Sequence, residues 1–167
     1  MNDMTYHLRD DQYRRLVAFN ERASRLSDSE ALMALAETAF QDEFGHKLFT
    51  LLKVDRAAGV MRRIYSTDLN YSPLGGTKPL ADDEWSKRVG AGRHFLGRDV
   101  ADMKRYFVDH ETLIKMGLVG VLNTAVIWRN EIIGWINLLD AAEHYTVEMC
   151  DLAGLYSQCL APAFLQE

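Results

Sequence analysis

Residues 121–140 read VLNTAVIWRNEIIGWINLLD. Two runs that are apolar on both faces flank Arg129-Asn130-Glu131, which predicts a hairpin of two strands buried on both sides. Each run also carries an amide, Asn123 in the first and Asn137 in the second. A buried amide without a partner costs ~1–3 kcal/mol, so these two need backbone, water or ligand partners. The turn length decides how they meet. A three-residue turn at 129–131 sets Asn123 opposite Asn137 and Ala125 opposite Trp135 on one sheet face. A two- or four-residue turn instead sets Asn137 opposite Thr124 and Asn123 opposite Leu138.

Downstream of the hairpin, Thr146 is placed to cap a final helix running to about Phe164 and bent near Pro162. Upstream, DVADMKRYF (99–107) and DHETLIKMG (109–117) predict two short helical pieces, the second closing on Gly117. RHFLG (93–97) is a short strand. DDEWSKRVG (82–90) predicts a short helix with its acids at the favourable N-terminal end and Gly90 as its stop. Residues 68–81 hold Pro73, Pro79 and the pair Gly75-Gly76, and predict an irregular loop.

KLFTLLKVD (47–55) and VMRRIYST (60–67) predict a first strand pair turned by residues 55–59. Before them, Ser27 and Glu30 have capping-box spacing, ahead of a helix with Leu32, Leu35, Ala36, Ala39, Phe40 and Phe44 on one stripe and Gly45 at its end. A first helix over 10–26 carries Tyr13, Leu16, Val17, Asn20, Ala23 and Leu26. The order α-α-β-β-loop-α-β-α-α-β-β-α implies an α+β domain, an antiparallel sheet with helices packed on it.

A length of 167 residues implies one domain, with 1–26 as a helical extension and 27–165 as the core. With 19 Lys and Arg against 24 Asp and Glu, the chain carries a formal charge of -5, which argues against nucleic acid as the main partner. The pairs Arg14-Arg15, Arg62-Arg63 and Lys104-Arg105 are short, have acids nearby, and read as solvated faces. The first residues lack the apolar run of a signal peptide, and no apolar stretch reaches the ~18 residues of a membrane span. A cytoplasmic protein is the expectation. Cys150 and Cys159 fall in the final helix, about 13.5 Å apart along its axis, too far to bridge, and are expected as reduced thiols.

Motifs for chemistry are sparse. GAGRHFLG (90–97) has Phe95 where a dinucleotide loop needs its third glycine, and PLGGTKPL (73–80) departs from a phosphate loop at Thr77 and Pro79. His94, His110 and His144 lack metal-site spacing, so no metal or cofactor is expected. The cluster His94, Arg98, Asp99 and Asp102 either binds a polar ligand or puts its carboxylates at a helix start, where each is stabilised by ~0.3–1 kcal/mol. His94 and Asp99 are kept as pocket-edge candidates.

The ending GLVGVLNTAVIWRNEIIGWINLLDAAEHYTVEMCDLAGLYSQCLAPAF resembles a GAF domain, with Ile133-Gly134-Trp135-Ile136 standing in the place of the family's Ile-Gly strand pair. The resemblance spans roughly residues 25–165. It implies a PAS-related antiparallel sheet of about five to six strands with helices on both sides. It also implies a small molecule held between one sheet face and the long excursion, and dimerisation through the terminal helices.

The chain departs from several functional subtypes of that family. No Cys lies in residues 68–120 for a bilin linkage, the Asn-Lys-Phe-Asp signature of cyclic-nucleotide-binding relatives is missing, and both thiols lie outside the loops where free methionine-R-sulfoxide reductases carry theirs. The expected function is a non-catalytic sensory domain for an unidentified small organic ligand, acting as a homodimer or through a separate partner. The alternative is a small enzyme on the same fold, either sulfoxide-reductase-like or using a His/Asp site assembled in space. In the receptor reading the face carrying Asn137, Trp135 and Asn123 floors the pocket, and Tyr71, Leu74, Trp85, Phe95 and Phe107 form its walls. Those aromatic residues serve equally well as core.

Overall fold

A computed structural model describes residues 7–80, 85–87 and 93–166. Helices α1 (Asp10–Ala23) and α2 (Ser29–Phe44) lead into strands β1 (Leu48–Asp55), β2 (Val60–Ser66), β3 (Thr77–Pro79) and β4 (His94–Gly97). Helices α3 (Val100–Tyr106) and α4 (His110–Lys115) follow, then β5 (Gly120–Trp128), β6 (Glu131–Asp140), α5 (Val147–Gln158) and α6 (Ala161–Leu165). The strands form one antiparallel sheet in the order β3-β2-β1-β6-β5-β4.

The first and last hairpins meet at β1 and β6, so the middle of the sheet comes from the two ends of the chain. β3 lies on one edge and β4 on the other, about 24 Å apart at ordinary strand spacing. Between Pro79 and His94 the chain must go from edge to edge. That topology gives one face to the excursion.

The other face is closed by α1, α2, α5 and α6. Phe49, Leu51, Leu122, Val126, Ile136 and Leu138 point into it from the strands. Phe40, Phe44 and Tyr156 interlock there, with ring centroids 5.3–5.7 Å apart, and each such pair adds about 0.5–1.5 kcal/mol beyond area burial. Gly134 is required at this contact. A Cβ there would run into the Phe164 ring of α6 and lie 2.9 Å from the Leu52 carbonyl oxygen. The glycine of the Ile133-Gly134 pair is thus a packing necessity.

Local chemistry explains where the elements begin and end. The cap of α2 is Asp28 and not Ser27, because the Asp28 carboxylate accepts the Ala31 N–H at 2.8 Å and leaves Ser27 one residue outside. Thr146 caps α5 through the Met149 N–H. The terminal helix is two helices, not one bent helix. Pro162 lacks the N–H that would continue the ladder, and α6 restarts with this proline in its first turn. Within the loop expected at 68–81, residues 77–79 pair with β2, and Pro79 is tolerated because β3 is an edge strand. The helix expected over 82–90 is described only at residues 85–87, which are helical; its stop at Gly90 lies outside the described residues.

The last hairpin corrects one expectation. Its turn has two residues, Arg129 and Asn130, both with positive φ (50° and 66°), as a type I′ turn requires. Yet Asn123 pairs with Asn137 and Ala125 with Trp135, the register expected of a three-residue turn. The missing residue is supplied by a bulge. Ile127 pairs with Ile132 and Val126 with Gly134, so Ile133 is extra and shifts the rest of β6 by one.

Candidate functional site

The face left to the excursion holds a cavity of about 530 Å³. Its floor comes from β1, β5 and β6, through Leu48, Thr50, Leu52, Val121, Asn123, Asn137 and Leu139, with Met61 and Arg63 of β2 beside them. Tyr71, Trp85, Tyr106, Phe107 and Leu113 stand over it from the excursion, and Lys78 lines it from the exposed edge strand β3. A mostly apolar hollow of this size with a few placed polar groups suits a small organic molecule.

A polar row runs across the floor. Trp85 Nε1–H donates to Asn123 Oδ1 at 3.1 Å, Asn123 Nδ2–H to Asn137 Oδ1 at 2.8 Å, and Asn137 Nδ2–H to Thr50 Oγ1 at 3.1 Å. The direction is fixed from the Trp85 end. An indole nitrogen only donates, so Asn123 must turn its oxygen to Trp85 and its nitrogen to Asn137, and Asn137 is oriented in the same way. The amides of the sequence are therefore partners of each other, of the excursion and of β1. Thr50 joins because it pairs with Asn137 across β1 and β6.

Arg63 and Asp109 add charge. Arg63 Nη1–H donates to the Pro73 carbonyl at 3.2 Å, while its buried Nε has no hydrogen-bond partner among the described residues. Burial pushes the Arg63 pKa down from its ordinary value, with Tyr71 and Asp109 acting in the opposite direction. The Tyr71 hydroxyl donates to Asp109 Oδ2 at 2.5 Å. Burial, and then that bond, hold the Tyr71 phenol well above its ordinary pKa.

The expected site residues separate into groups. Tyr71, Trp85, Phe107, Asn123 and Asn137 line the cavity. Phe95 and Trp135 lie behind its walls; Phe95 is wedged against Tyr106 (5.0 Å) and Phe107 (5.7 Å), and Trp135 stacks edge-on to Trp85 (5.5 Å). Leu74 is exposed and does not reach the cavity. His94 is turned to the helix face, where it bonds Thr124 Oγ1 at 3.0 Å and packs on Gly154 of α5. Asp99 caps α3 through the N–H groups of Ala101 and Asp102. Asp102 takes the Arg98 N–H. That cluster therefore serves the backbone.

Sequence reading missed Thr50, Met61, Arg63, Ser72, Tyr106, Leu113 and Asp109 as lining residues. Strand parity was the available signal for Met61 and Arg63, two positions apart on β2. Both cysteines are free thiols on the helix face. Burial raises the Cys150 thiol to about 11 and also raises Cys159. Among the described residues no group of three or more His, Cys, Asp or Glu is placed to hold a metal. No helix among them is long and apolar enough to cross a membrane.

The fold and hollow together define an α+β domain with one face packed and one face open to a ligand-sized space. Solved structures give that class a name. The GAF domain of a phosphoenolpyruvate-protein phosphotransferase from Coxiella burnetii superposes with a TM-score of 0.75 at 15% identity, covering 90% of each chain. Free methionine-R-sulfoxide reductase from Neisseria meningitidis, in complex with its substrate, reaches 0.71 at 12% identity, covering 98% of this chain and 96% of that one. The chromophore-binding domain of a bacteriophytochrome from R. palustris reaches 0.71 at 13%, covering 93% of this chain and 61% of that one. The chain has the GAF-domain fold. No protein-family model matches it, and no curated protein matches it by sequence.

Proposed function

We propose that this chain is a non-catalytic sensory or regulatory domain that binds a small organic ligand between its sheet and its excursion. The observation that carries the reading is the cavity of about 530 Å³ floored by the row Trp85–Asn123–Asn137–Thr50. A polar row at the floor of an apolar hollow orients a ligand without supplying a nucleophile. The neighbours with this fold include a domain that binds a chromophore and a protein solved with its substrate, which supports a receptor role for the same space. The thiols weigh against the sulfoxide-reductase alternative. Both stand across the sheet from the cavity and are held protonated by burial, whereas the thiolate is the reactive form.

In this reading residues 27–165 act as one core with α1 as an extension, in the cytoplasm, as a homodimer through the terminal helices. Tyr13 and Val17 of α1 and Leu155 of α5 are exposed apolar residues on those helices and support that assembly. Native mass spectrometry of the purified protein tests the receptor reading, with a retained small molecule, displaced on unfolding, as the expected result. A chain that carries none, and whose melting temperature no small organic compound raises, would overturn it. Sedimentation tests the assembly, and a monomer at high concentration would end that part.

A further inference from the structure

We propose that the ligand is a small organic carboxylate, docked head-first on the Arg63 guanidinium with its apolar body under the excursion. The inference rests on the receptor reading and specifies its ligand class.

The cavity keeps hydrogen-bond donors that the described residues do not use. Because Trp85 fixes the direction of the row, every donor points toward β1 and the row ends on Thr50. Thr50 Oγ1 accepts from Asn137, and its own proton has no acceptor among the described residues. Asn123 Nδ2 uses one of its two hydrogens. Arg63 stands at the same cavity, with Nη1 bonded to the Pro73 carbonyl and its Nε–H buried without a partner among the described residues. Of the neighbouring acceptors, the Pro73 carbonyl takes Arg63 Nη1 and Asp109 Oδ2 takes the Tyr71 hydroxyl. Arg63 is a cavity-lining cation whose guanidinium has more N–H donors than the Pro73 carbonyl uses, which calls for an acceptor brought from outside. Thr50 and Arg63 point from adjacent strands toward the same space.

The guanidinium geometry selects the acceptor. With one Nη1–H taken by the loop, the guanidinium keeps further N–H donors in a single plane, an arrangement suited to a planar two-oxygen group. Gly76 makes this arrangement possible, since a Cβ there would sit 2.8 Å from Arg63 Nη1 and 3.2 Å from the Pro73 oxygen. Asp109 forms no ion pair with Arg63 among the described residues, so the cation has no contacting anion of its own. Among the described residues, Arg63 and Lys78 stand at the cavity against the single carboxylate of Asp109, which leaves one positive charge for a ligand to balance. Leu52, Met61, Phe107 and Leu113 suit an apolar or aromatic body behind the carboxylate.

The test titrates acid–amide pairs, isobutyrate, phenylacetate and hydrocinnamate each against its primary amide, with phenyl phosphate as a further arm. The readouts are the Trp85 indole N–H resonance and the dissociation constant. The expected result is that an acid moves the Trp85 signal and binds at least about tenfold tighter than its amide, the span of a charge-assisted hydrogen bond. Arg63→Met should bring acid and amide to parity. Arg63→Lys, which keeps the charge and loses the planar donor set, should leave an intermediate preference, and it serves if Arg63→Met fails to fold. An acid that binds no better than its amide, or a preference that survives both substitutions, overturns the carboxylate inference and leaves the receptor reading standing. Tighter binding of phenyl phosphate overturns it in favour of a phosphate. Silence of the Trp85 signal toward every acid and amide overturns both.

Discussion

The helix-covered face of the sheet buries Phe40, Phe49 and Tyr156 against one another, whereas the face under the excursion keeps about 530 Å³ open between Leu52, Asn137 and Phe107. The same strands supply both faces, and both are largely apolar. The difference lies in one row. Thr50, Asn137 and Asn123 put three polar side chains across adjacent strands on one face, where Leu51, Ile136 and Thr124 stand on the other. A polar row ties its covering segment at fixed points, here through Trp85, and interdigitation of the kind that fills the helix face does not follow. A packed face and a receptive one differ by the placement of two amides, since each carries a buried strand threonine, Thr50 on one and Thr124 on the other.

Paired truncations give the largest expected effect. Phe40→Ala removes a fully buried ring from the interlocked face and should cost about 3–5 kcal/mol, read from urea denaturation. Phe107→Ala only widens a space that is already open, and should cost about 1–2 kcal/mol. Equal losses would mean that the cavity face is as tightly packed as the other.

A double-mutant cycle across the row is the next most sensitive measurement. Asn137→Leu strands the Asn123 N–H and should cost about 1–3 kcal/mol. Adding Asn123→Leu removes that stranded donor, so the double variant should lose clearly less than the sum of the singles. Additive losses would show that the amides stabilise the fold independently.

The smallest effect is a pH dependence on the packed side. Burial holds His94 below its ordinary imidazole value of 6.5, and burial does the same to His46 against the carbonyl of Glu37. The unfolded chain therefore takes up protons before the folded one does. Stability is full above about pH 6.5 and falls as pH drops below it. Melting curves between pH 7.5 and 5 should show this, and His94→Gln should flatten part of the slope. A slope unchanged by that substitution would remove His94 from the account.

Strand alternation explains what the sequence disclosed and what it withheld. The hairpin of 121–140 and the glycines closing the helices at Gly45 and Gly117 follow from period and turn chemistry, and the structure has them. The pairing of Asn123 with Asn137 is one of two registers that the sequence leaves open, and it is set by the bulge at Ile133. Naming His94 and Phe95 together as pocket residues ignored that neighbours on a strand face opposite ways. Phe95 belongs to the cavity side, so His94 had to face the helices. The same oversight grouped Arg62 with Arg63 as a solvated pair. A bulge places Ile64 extra between Arg63 and Tyr65, which sends Tyr65 to the helices and keeps Arg63 with Met61 over the floor. Thr50 was hidden for another reason. Its place beside Asn137 depends on pairing between the first and the last strands of the chain, which no local pattern encodes.

The extra residue at Ile133 has a consequence for how this gene segment tolerates insertions and deletions. Turn and bulge form a compensating pair: one residue too few at the tip is repaid by one too many three positions later. Lengthening the tip by one while deleting Ile133 restores the same register by another route. Either edit alone would slide the two strands by a single position and exchange the inward and outward residues of β6, turning its receptor side toward the helices.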